Sequence, residues 1–488
     1  MKLSELCGPS AAPAEADATP ITGLTADSRE VRPGFVFAAL SGVKTDGARF
    51  IADAVARGAV AILAGDAVEV EVEGRIPVIR DANPRRRLAL MAARFHGRQP
   101  EIAVAVTGTN GKTSVAAFLR QIWESSGRSA ASLGTTGIQF QNQDWPLSHT
   151  TPDPVELHAS LAELADRGAT HLAFEASSHG LAQYRVDGIK LAAGAFTNIS
   201  RDHLDYHPDF TDYFSAKMRL FTELLQPGQP AVIDVDSEGG EAAEIARGRG
   251  LRLITTGRNG DGLRLVASER DGLGQRLEVL HEGTARHVHL PLAGDFQASN
   301  ALVALGLAIA TGTPPDRAFA AAETLKGAKG RLELAGHAAA APVFIDYAHT
   351  PAALETAILA LRPYASGKLH VVFGCGGDRD RGKRAQMGEI AARLADRVIV
   401  TDDNPRGEDP AAIRAEILSG APAAIEIGDR AEAIAAAIDA MGEGDLLLVA
   451  GKGHETGQII GDRVIPYSDH ETVAALIESG REKAVLHG

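Results

Sequence analysis

The chain has 488 residues, 45% of them hydrophobic, and a formal net charge of -14 at pH 7. Since domains commonly span about 100 to 200 residues, this length predicts about three domains, each able to bury its own core. The acidic balance argues against nucleic acid as a general partner, because no basic surface is left to follow a phosphate backbone.

The N-terminus and the cysteine content indicate a soluble protein of the cytoplasm. No apolar run is long enough to span a bilayer, and residues 1–20 lack the apolar core of a signal peptide. Cys7 and Cys375 provide neither a disulfide framework nor a metal-binding spacing. We therefore expect two free thiols.

A first unit extends from the N-terminus to about residue 97. Its strand and helix patterns are Phe35–Leu40, residues 50–58, Val60–Leu63 and Pro77–Arg80. No acid–base or metal-binding cluster occurs here, so we expect this unit to bind rather than to react. Two polar loops, residues 25–29 and 42–50, are open both to a binding role and to an ordinary turn.

The next segment, residues 102–123, predicts a strand, a tight turn and a helix. Ile102–Val106 is mostly β-branched, as in a strand buried on both faces of a parallel sheet. Apolar residues then recur at helical spacing from Val115 to Ile122. The turn between them starts the helix with glycine, which suits close contact with an anion.

The turn predicts a nucleotide triphosphate site. Glycine lets backbone amides approach a phosphate, Lys112 would reach the outer phosphates, and the Thr113 hydroxyl would hold magnesium. Val106 stands where the common P-loop pattern has its first glycine, so the loop is compact. The predicted phosphate-binding residues are Gly108, Thr109, Asn110, Gly111, Lys112, Thr113 and Ser114.

Two further segments place polar residues near this turn. Thr150 and Thr151 precede an amphipathic helix, and the segment is open to an ordinary helix start with Pro154 in the first turn or to ligand contact. An apolar strand then ends in Glu175, in the position of an acidic strand end that helps hold magnesium. Because strand carboxyl ends line the ligand crevice of a doubly wound sheet, Glu175 and Ser177 should lie near the phosphates.

A third strand delivers a dense set of oxygen and imidazole groups. The residues are Asn198, Asp202, His203, Asp205 and His207. The pattern favours a cation site over a histidine-rich surface loop. Lys217 follows in a helical stretch, Asn300 lies in the first turns of a glycine-led helix, and Lys326–Leu334 is a glycine-rich, basic hinge in which Arg331 faces a phosphate.

The C-terminal part alternates strand and helix, which is typical of an open α/β sheet with helices on both faces. One strand ends at Asp346, and Thr350 is an N-cap before a helix that starts with Pro351. The remaining strand ends should share one rim, with arginine suited to grip a carboxylate and Asn404 or Glu455 suited to an ammonium or amide. The rim residues are Arg379, Asp403, Asn404, Pro405, Arg406, Gly451 and Glu455. Salt bridges among rim loops are the alternative.

The chain contains, in this order, TGTNGKTS, FEASSHGL, TNISRDHLDYH, FSAKMRLF, DYAHTP, FGCGGDRDRGKR, TDDNPR and AGKGHE. Together these segments resemble the Mur ligase family over nearly the whole chain. The resemblance implies three α/β domains. A small one at residues 1–97 would bind UDP, a central P-loop ATPase domain with a mainly parallel sheet would span 98–333, and a Rossmann-like domain at 334–488 would bring an amino acid.

The resemblance also implies site residues and a reaction. Magnesium would be held by Thr113, Glu175, His203 and Lys217, with Lys217 carbamylated, and ATP would contact Asn300, Arg331 and Asp346. The UDP end would meet Ala26, Ser28, Val43, Lys44 and Thr45, and the muramoyl peptide would meet Thr150, Thr151, Ser177, Gln183 and Arg185. Lys112, Lys217, His203 and Glu175 would support an ATP-dependent amide ligation on UDP-N-acetylmuramoyl-L-alanyl-D-glutamate.

In that family, arginine in the DNPR segment goes with meso-diaminopimelate, so Arg406, supported by Arg379, implies this acceptor. Gln297 stands where the family pattern leads us to expect asparagine. A lysine-adding ligase, a folate polyglutamate synthase and a P-loop regulatory ATPase are the alternative functions. We expect a monomer without nucleic-acid or membrane partners.

Overall fold

Alternating apolar side chains build the N-terminal sheet from both of its faces. In a computed structural model, which describes residues 1–8, 19–42, 46–68, 76–202 and 206–487, all of its strands run parallel in the order β1-β2-β3-β4. Val36 and Ala38 pack on one face, while Phe37 and Ala39 pack on the other. The elements are α1 Leu3–Cys7, β1 Gly23–Thr25, β2 Phe35–Ala39, α2 Ile51–Ala56, β3 Ala59–Gly65, β4 Val78–Asp81 and α3 Pro84–His96.

The central region begins with the predicted strand and helix. Its elements are β5 Ile102–Thr107, α4 Lys112–Ser125, β6 Ala130–Gly134, β7 Gly137–Phe140, β8 Gln143–Trp145, α5 Pro154–Asp166, β9 His171–Glu175, α6 Ser178–Ala182, β10 Leu191–Phe196, α7 Phe210–Arg219, β11 Pro230–Asp234, α8 Gly240–Gly248, β12 Arg252–Gly257, β13 Leu263–Asp271, β14 Gly274–His281, β15 Thr284–Leu290, α9 Asp295–Ala310 and α10 Pro315–Ala322. The predictions of β5, α4, β9 and the start of α5 at Pro154 are confirmed.

These strands form an eleven-stranded mixed sheet in the order β15-β14-β13-β12-β11-β10-β5-β9-β6-β7-β8. The pairs from β12 through β6 are parallel, and the pairs β6–β7, β7–β8, β13–β14 and β14–β15 are antiparallel. The predicted parallel sheet is therefore present as a core, extended by antiparallel strands that the sequence patterns did not indicate. β5 lies in the middle, so its carboxyl end opens onto the centre of the sheet.

The C-terminal sheet is parallel apart from its edge strand β16, in the order β16-β17-β21-β18-β19-β20. Thr350 caps its first helix, and Leu354, Ile358 and Leu361 are fully buried, as predicted. The elements are β16 Glu333–Ala338, β17 Ala341–Asp346, α11 Pro351–Leu361, β18 Leu369–Phe373, α12 Lys383–Leu394, β19 Arg397–Val400, α13 Pro410–Leu418, β20 Ile425–Glu426, α14 Arg430–Asp439, β21 Leu446–Ala450, β22 Gly457–Ile460, β23 Arg463–Pro466 and α15 Asp469–His487.

By its contacts the chain divides into two compact units. The first comprises Met1–Lys112, Leu119–Gly262 and Val303–Ala318, and the second comprises Thr113–Phe118, Leu263–Leu302 and Phe319–Gly488. Each unit has its own hydrophobic clusters. None of the described helices combines the length and the apolarity that a membrane crossing requires.

Both cysteines are free and buried, as the sequence analysis expected. Burial raises the pKa of the Cys7 thiol, and it raises the pKa of Cys375 to about 12. The Cys375 thiol donates to Met387 Sδ at 3.7 Å. Both thiols are therefore structural side chains.

A buried ion pair joins two helices of the second unit. Arg430 Nε lies 2.7 Å from Asp469 Oδ1, both side chains are at most 1% exposed, and Arg430 also donates to the carbonyl of Ala450 at 2.9 Å. The carboxylate thus neutralises a guanidinium that water cannot reach.

Replacing Asp469 with alanine should lower the free energy of unfolding of this unit by about 3–5 kcal/mol, because the buried charge of Arg430 would lose its partner. The exposed Glu471, in the same first turn of α15, provides the matched control. Glu471→Ala should change stability by no more than about 0.5 kcal/mol. Urea denaturation followed by circular dichroism measures both, and equal midpoints for the two variants would contradict the prediction.

Candidate active site

Two glycines shape the loop between β5 and α4. Gly108 has φ +142°, and a Cβ there would lie 2.0 Å from Thr197 Oγ1, so no larger residue fits. Gly111 is left-handed, with φ +84°, and is the N-cap of α4. The N-cap residue is a glycine, which has no side chain to cap the helix, and the first amides and positive dipole end of a helix favour an anion.

The end of β10 holds this loop in place. The Thr109 amide donates to the Asn198 carbonyl at 2.8 Å, and the Asn110 amide donates to Asn198 Oδ1 at 2.9 Å. Thr197 Oγ1 donates to the Asn110 carbonyl at 2.6 Å. Asn198, which the sequence grouped with candidate cation ligands, therefore contacts the loop backbone.

The side-chain nitrogens of two lysines meet at one carbonyl of the loop. Lys112 Nζ donates to Gly108 O at 3.0 Å and to Thr109 O at 2.8 Å. Lys217 Nζ, from α7, donates to the same Gly108 oxygen at 2.7 Å and lies 4.3 Å from the centre of the Tyr213 ring. The helix prediction for Lys217 is thus confirmed, and the structure brings this residue to the loop.

The surroundings of Lys217 favour its neutral amine. The side chain is 1% exposed, and the pKa of the ammonium falls well below its usual value, chiefly because of burial and secondarily because of repulsion by Lys112. Attraction to Asp202 opposes this shift in the pKa only in part. A neutral amine is a nucleophile, whereas an ammonium is not.

Glu175 is an ordered, buried carboxylate at the end of β9. Its side chain accepts from the Thr135 amide at 2.7 Å and from Thr135 Oγ1 at 3.1 Å, and it is 2% exposed. A Cβ on Gly134 would lie 2.1 Å from Glu175 Oε1. Glycine is thus required there. Sequence reasoning missed Thr135, although it follows β6 in the glycine-bounded segment LGTTG.

The predicted peptide-binding residues gather beside Glu175. Thr151 Oγ1 donates to the Glu175 carbonyl at 2.8 Å and accepts from the Ser177 amide at 3.1 Å. Arg185 donates to Thr151 O at 2.6 Å and to Gln183 Oε1 at 2.8 Å. The helix start at Pro154 is confirmed, with Asp153 as its cap. Thr150 Oγ1 lies 3.1 Å from Thr135 Oγ1, and ligand contact by the two threonines stays a prediction.

Other predicted residues lie elsewhere. Ser28 is buried in a short helical turn, and Ala26 is exposed. Within the described chain neither side chain bonds to the loop between β5 and α4. His207 is buried and bonds to Asp212 at 2.7 Å. The described residues contain no cluster of three or more His, Cys, Asp or Glu side chains for a metal. His203, Asp205, Val43, Lys44 and Thr45 lie outside the described residues.

In the second unit, one chain of bonds connects the three residues predicted to meet ATP. Asn300 Nδ2 donates to Gln297 Oε1 at 3.1 Å, and Gln297 Nε2 donates to the Arg331 carbonyl at 3.3 Å. The Leu332 amide then donates to Asp346 Oδ2 at 2.6 Å. Gln297, the departure from the expected asparagine, is thus the link between Asn300 and the 331–332 backbone.

The rim of the C-terminal sheet brings its predicted polar residues together. Asn404 Nδ2 donates to Glu455 Oε2 at 2.9 Å. The ammonium of Lys452, fully buried, donates to Asn404 Oδ1 at 3.0 Å and to Glu455 Oε2 at 3.1 Å. Burial raises the pKa of the Asp403 carboxyl, while Arg430 and Lys452 oppose that rise. Sequence reasoning did not single out Lys452, although AGKGHE contains it.

Arg406 is half buried and backbone-strained. Its φ is +51°, and its NH1 group donates to Gly377 O at 3.0 Å. A Cβ on Gly376 would lie 2.7 Å from the same NH1, and one on Gly451 would lie 2.6 Å from Asp403 Oδ2. The structure therefore places Gly451 against Asp403. Arg379 lies exposed in the loop after β18, and Pro405 lies buried between Asn404 and Arg406.

Three family models match successive segments of the chain. They are described as the Mur ligase family catalytic domain at residues 20–96, the Mur ligase middle domain at 106–308 and the Mur ligase glutamate ligase domain at 330–453. The chain belongs to the Mur ligase family.

Individual Mur ligases extend this similarity over the full length. UDP-N-acetylmuramoyl-L-alanyl-D-glutamate--2,6-diaminopimelate ligase of Bradyrhizobium diazoefficiens is 58% identical over 486 residues, which cover 98% of this chain and 99% of that protein. A solved structure of a ligase with this name is 32% identical, with a TM-score of 0.73 over 99% of this chain and 100% of the other. The Thermotoga maritima MurF ligase in complex with ADP has a TM-score of 0.62 at 20% identity, covering 96% of this chain and 99% of the other, which shows the shared fold.

Proposed function

We propose that this Mur ligase uses ATP to join meso-2,6-diaminopimelate to the D-glutamyl γ-carboxylate of UDP-N-acetylmuramoyl-L-alanyl-D-glutamate, a step of peptidoglycan precursor synthesis. The observation that carries the proposal is the 58% identity, over almost the entire length of both chains, with a diaminopimelate ligase. The geometry of the phosphate loop and of the C-terminal rim fits the two halves of this reaction.

The chemistry needs no nucleophile from the protein. The γ-carboxylate attacks the γ-phosphorus of ATP, and the bond between that phosphorus and the oxygen of the β-phosphate breaks. This step gives an acyl phosphate, and ADP is the leaving group. The amine then attacks the acyl carbon, phosphate departs and the amine loses a proton. Lys112 is the residue that we assign to offset the negative charge on the phosphoryl group in transfer.

The nucleotide would lie at the start of α4. The uncapped first turn and the left-handed Gly111 support phosphate binding, with Thr113 and Ser114 in the first turn. Asn300, Arg331 and Asp346 are proposed to contact the rest of ATP. Gln297 links Asn300 to the Arg331 carbonyl, the adjacent Leu332 amide bonds to Asp346, and these contacts support a common role.

The donor set fits magnesium. This ion is usually bound through one or two carboxylates, substrate phosphates and water rather than by a preformed protein cage. Glu175 provides an ordered carboxylate and Thr113 a hydroxyl, and we assign His203 and a carbamylated Lys217 as the further ligands. Bound magnesium would neutralise charge on the phosphates.

Carbamylation would invert the charge of Lys217. The neutral amine adds to CO2, forming an N–C bond and releasing one proton, and the product is an anionic carbamate that attracts a cation. The lowered pKa and the burial of the side chain support this modification, because they increase the neutral fraction at physiological pH.

The acceptor would bind at the C-terminal rim. Arg406, with Arg379, is proposed to grip the distal carboxylate of diaminopimelate in a bidentate fork. Asn404 and Glu455, joined by Lys452, would meet the polar groups of the amino acid, and Asp403 and Gly451, which lie against one another, are proposed to complete this site.

The remaining assignments belong to the same proposal. The peptide of the nucleotide substrate would contact Thr150, Thr151, Ser177, Gln183 and Arg185, and the UDP end would contact Ala26, Ser28 and residues 43–45. We also propose domain boundaries near residues 97 and 333, a cytoplasmic location and a monomeric state.

The central test supplies the full-length protein with ATP, the UDP-muramoyl dipeptide and an equimolar mixture of lysine and diaminopimelate. Mass spectrometry should detect the diaminopimelate product almost exclusively, and ADP release should require both the dipeptide and the amine. A lysine product would assign the chain to lysine-adding ligases. ADP release without either substrate would indicate a regulatory ATPase.

Arg406→Ala should raise the KM for diaminopimelate by at least about tenfold, because it removes a charge-assisted contact with a carboxylate. The KM for ATP should change by less than about twofold. Arg414→Ala is the control, since Arg414 pairs with Asp402 and Glu426 and has no proposed contact with substrate. Equal changes in both KM values for Arg406→Ala would refute the assignment.

Carbon-13 NMR of protein equilibrated with labelled bicarbonate tests the modification of Lys217. Wild-type protein should show a carbamate resonance that Lys217→Arg lacks, because the guanidinium stays protonated. The resonance should weaken as the pH falls, since protonation of the amine competes with CO2. Its absence from wild-type protein near neutral pH would reject the carbamate.

A further inference from the structure

A hairpin follows the AGKGHE segment. Its strands β22 and β23 pair antiparallel and form a two-stranded sheet of their own. Ile460, Val464 and Ile465 are 43%, 69% and 46% exposed. Because an isolated hairpin is marginally stable in water, its position depends on the groups to which it is bonded.

The hairpin is bonded along Asp403–Arg406, which we call the acceptor segment. Gln458 Nε2 donates to the Asp403 carbonyl at 2.7 Å. The Ile459 amide donates to Asn404 Oδ1 at 2.9 Å. One bond is thus made by a side chain and the next by the backbone of β22.

The hairpin makes hydrogen bonds to the backbone of Arg406 on both sides of its Cα atom. Its amide donates to the Ile459 carbonyl at 3.0 Å, and its carbonyl accepts from the Gly461 amide at 2.8 Å. A non-glycine residue at φ +51° is in an unfavourable conformation unless the surrounding structure holds it. These two hydrogen bonds supply that restraint. By holding the backbone of Arg406, they also fix the direction in which its side chain starts from the Cα atom.

The same contacts fix the orientation of the Asn404 amide. Its Oδ1 accepts from both Lys452 Nζ and the Ile459 amide, which leaves Nδ2 facing Glu455 Oε2. A flipped amide would place N–H groups against two donors and an oxygen against a carboxylate. The hairpin and Lys452 together therefore set which hydrogen-bonding groups Asn404 and Glu455 present.

We propose that the hairpin Gly457–Pro466 is a specificity-determining element that positions the acceptor segment for an amino acid with a second carboxylate, and that Gln458 is its positioning residue. The inference rests on the proposed function. It adds that the preference for diaminopimelate depends on residues that do not themselves touch the amino acid.

Gln458→Met tests this inference, because methionine preserves the length of the side chain but cannot donate to the Asp403 carbonyl. In the full-length protein the KM for diaminopimelate should rise about three- to tenfold, the range expected for one lost hydrogen bond. The kcat and the KM for ATP should stay within about twofold, and the preference for diaminopimelate over lysine should fall by a factor similar to the rise in KM.

Two further variants separate positioning from general damage. Gln458→Lys keeps an N–H donor and should restore most of the wild-type KM. Val464→Thr changes the exposed side of the same hairpin and should behave as wild type. Thermal unfolding should be the same for all three variants.

An unchanged KM for diaminopimelate in Gln458→Met would overturn the inference, provided that the wild-type protein makes the diaminopimelate product. An equal rise in Val464→Thr would overturn the assignment of Gln458 as the positioning residue, because the effect would then not depend on its hydrogen bond to the Asp403 carbonyl. Failure of the wild-type protein to make that product would instead refute the proposed function on which the inference rests.

Discussion

The carbonyl of Gly108 accepts hydrogen bonds from the side-chain nitrogens of two lysines, and the proposed phosphate site depends on this convergence. Lys112 comes from the helix that follows the loop, and Lys217 comes from α7, more than a hundred residues further along the chain. Besides burial, repulsion by the charge of Lys112 lowers the pKa of Lys217. The fold therefore concentrates positive charge where an anion would bind while making one of the two amines easy to deprotonate. Burial of Lys217 strengthens this second effect.

The second unit contains a related arrangement, in which one buried positive charge lies among negative charges. Its rim collects the carboxylates of Asp403 and Glu455, and the buried ammonium of Lys452 lies among them. An unpaired ammonium would be costly at such a depth, so its bonds to Asn404 and Glu455 satisfy it and make them rigid at the same time. Behind this cluster, Arg430 and Asp469 neutralise one another. The groups that we propose to recognise the acceptor are thus supported by neighbouring charges that are themselves paired.

The parts that the sequence predicted well are those in which local pattern decides structure. β5, α4 and the cap at Thr350 follow from apolar periodicity, glycine and proline, and parallel topology then gathers strand ends such as Glu175. Contacts between distant segments gave no such signal. The antiparallel strands β13–β15, the bond of Thr135 to Glu175 and the placement of Lys452 each depend on which strands become neighbours. The hairpin after AGKGHE was not predicted either, because its local sequence pattern is weak. Its pairing residues alternate weakly between apolar and polar.

The two native thiols have a practical consequence. A thiol reacts through its thiolate, and both Cys7 and Cys375 are buried with pKa values above the ordinary range. Maleimide dyes added to the folded protein will therefore find almost no intrinsic target. Single cysteines engineered into exposed positions can therefore be labelled with a fluorophore without first removing a natural residue.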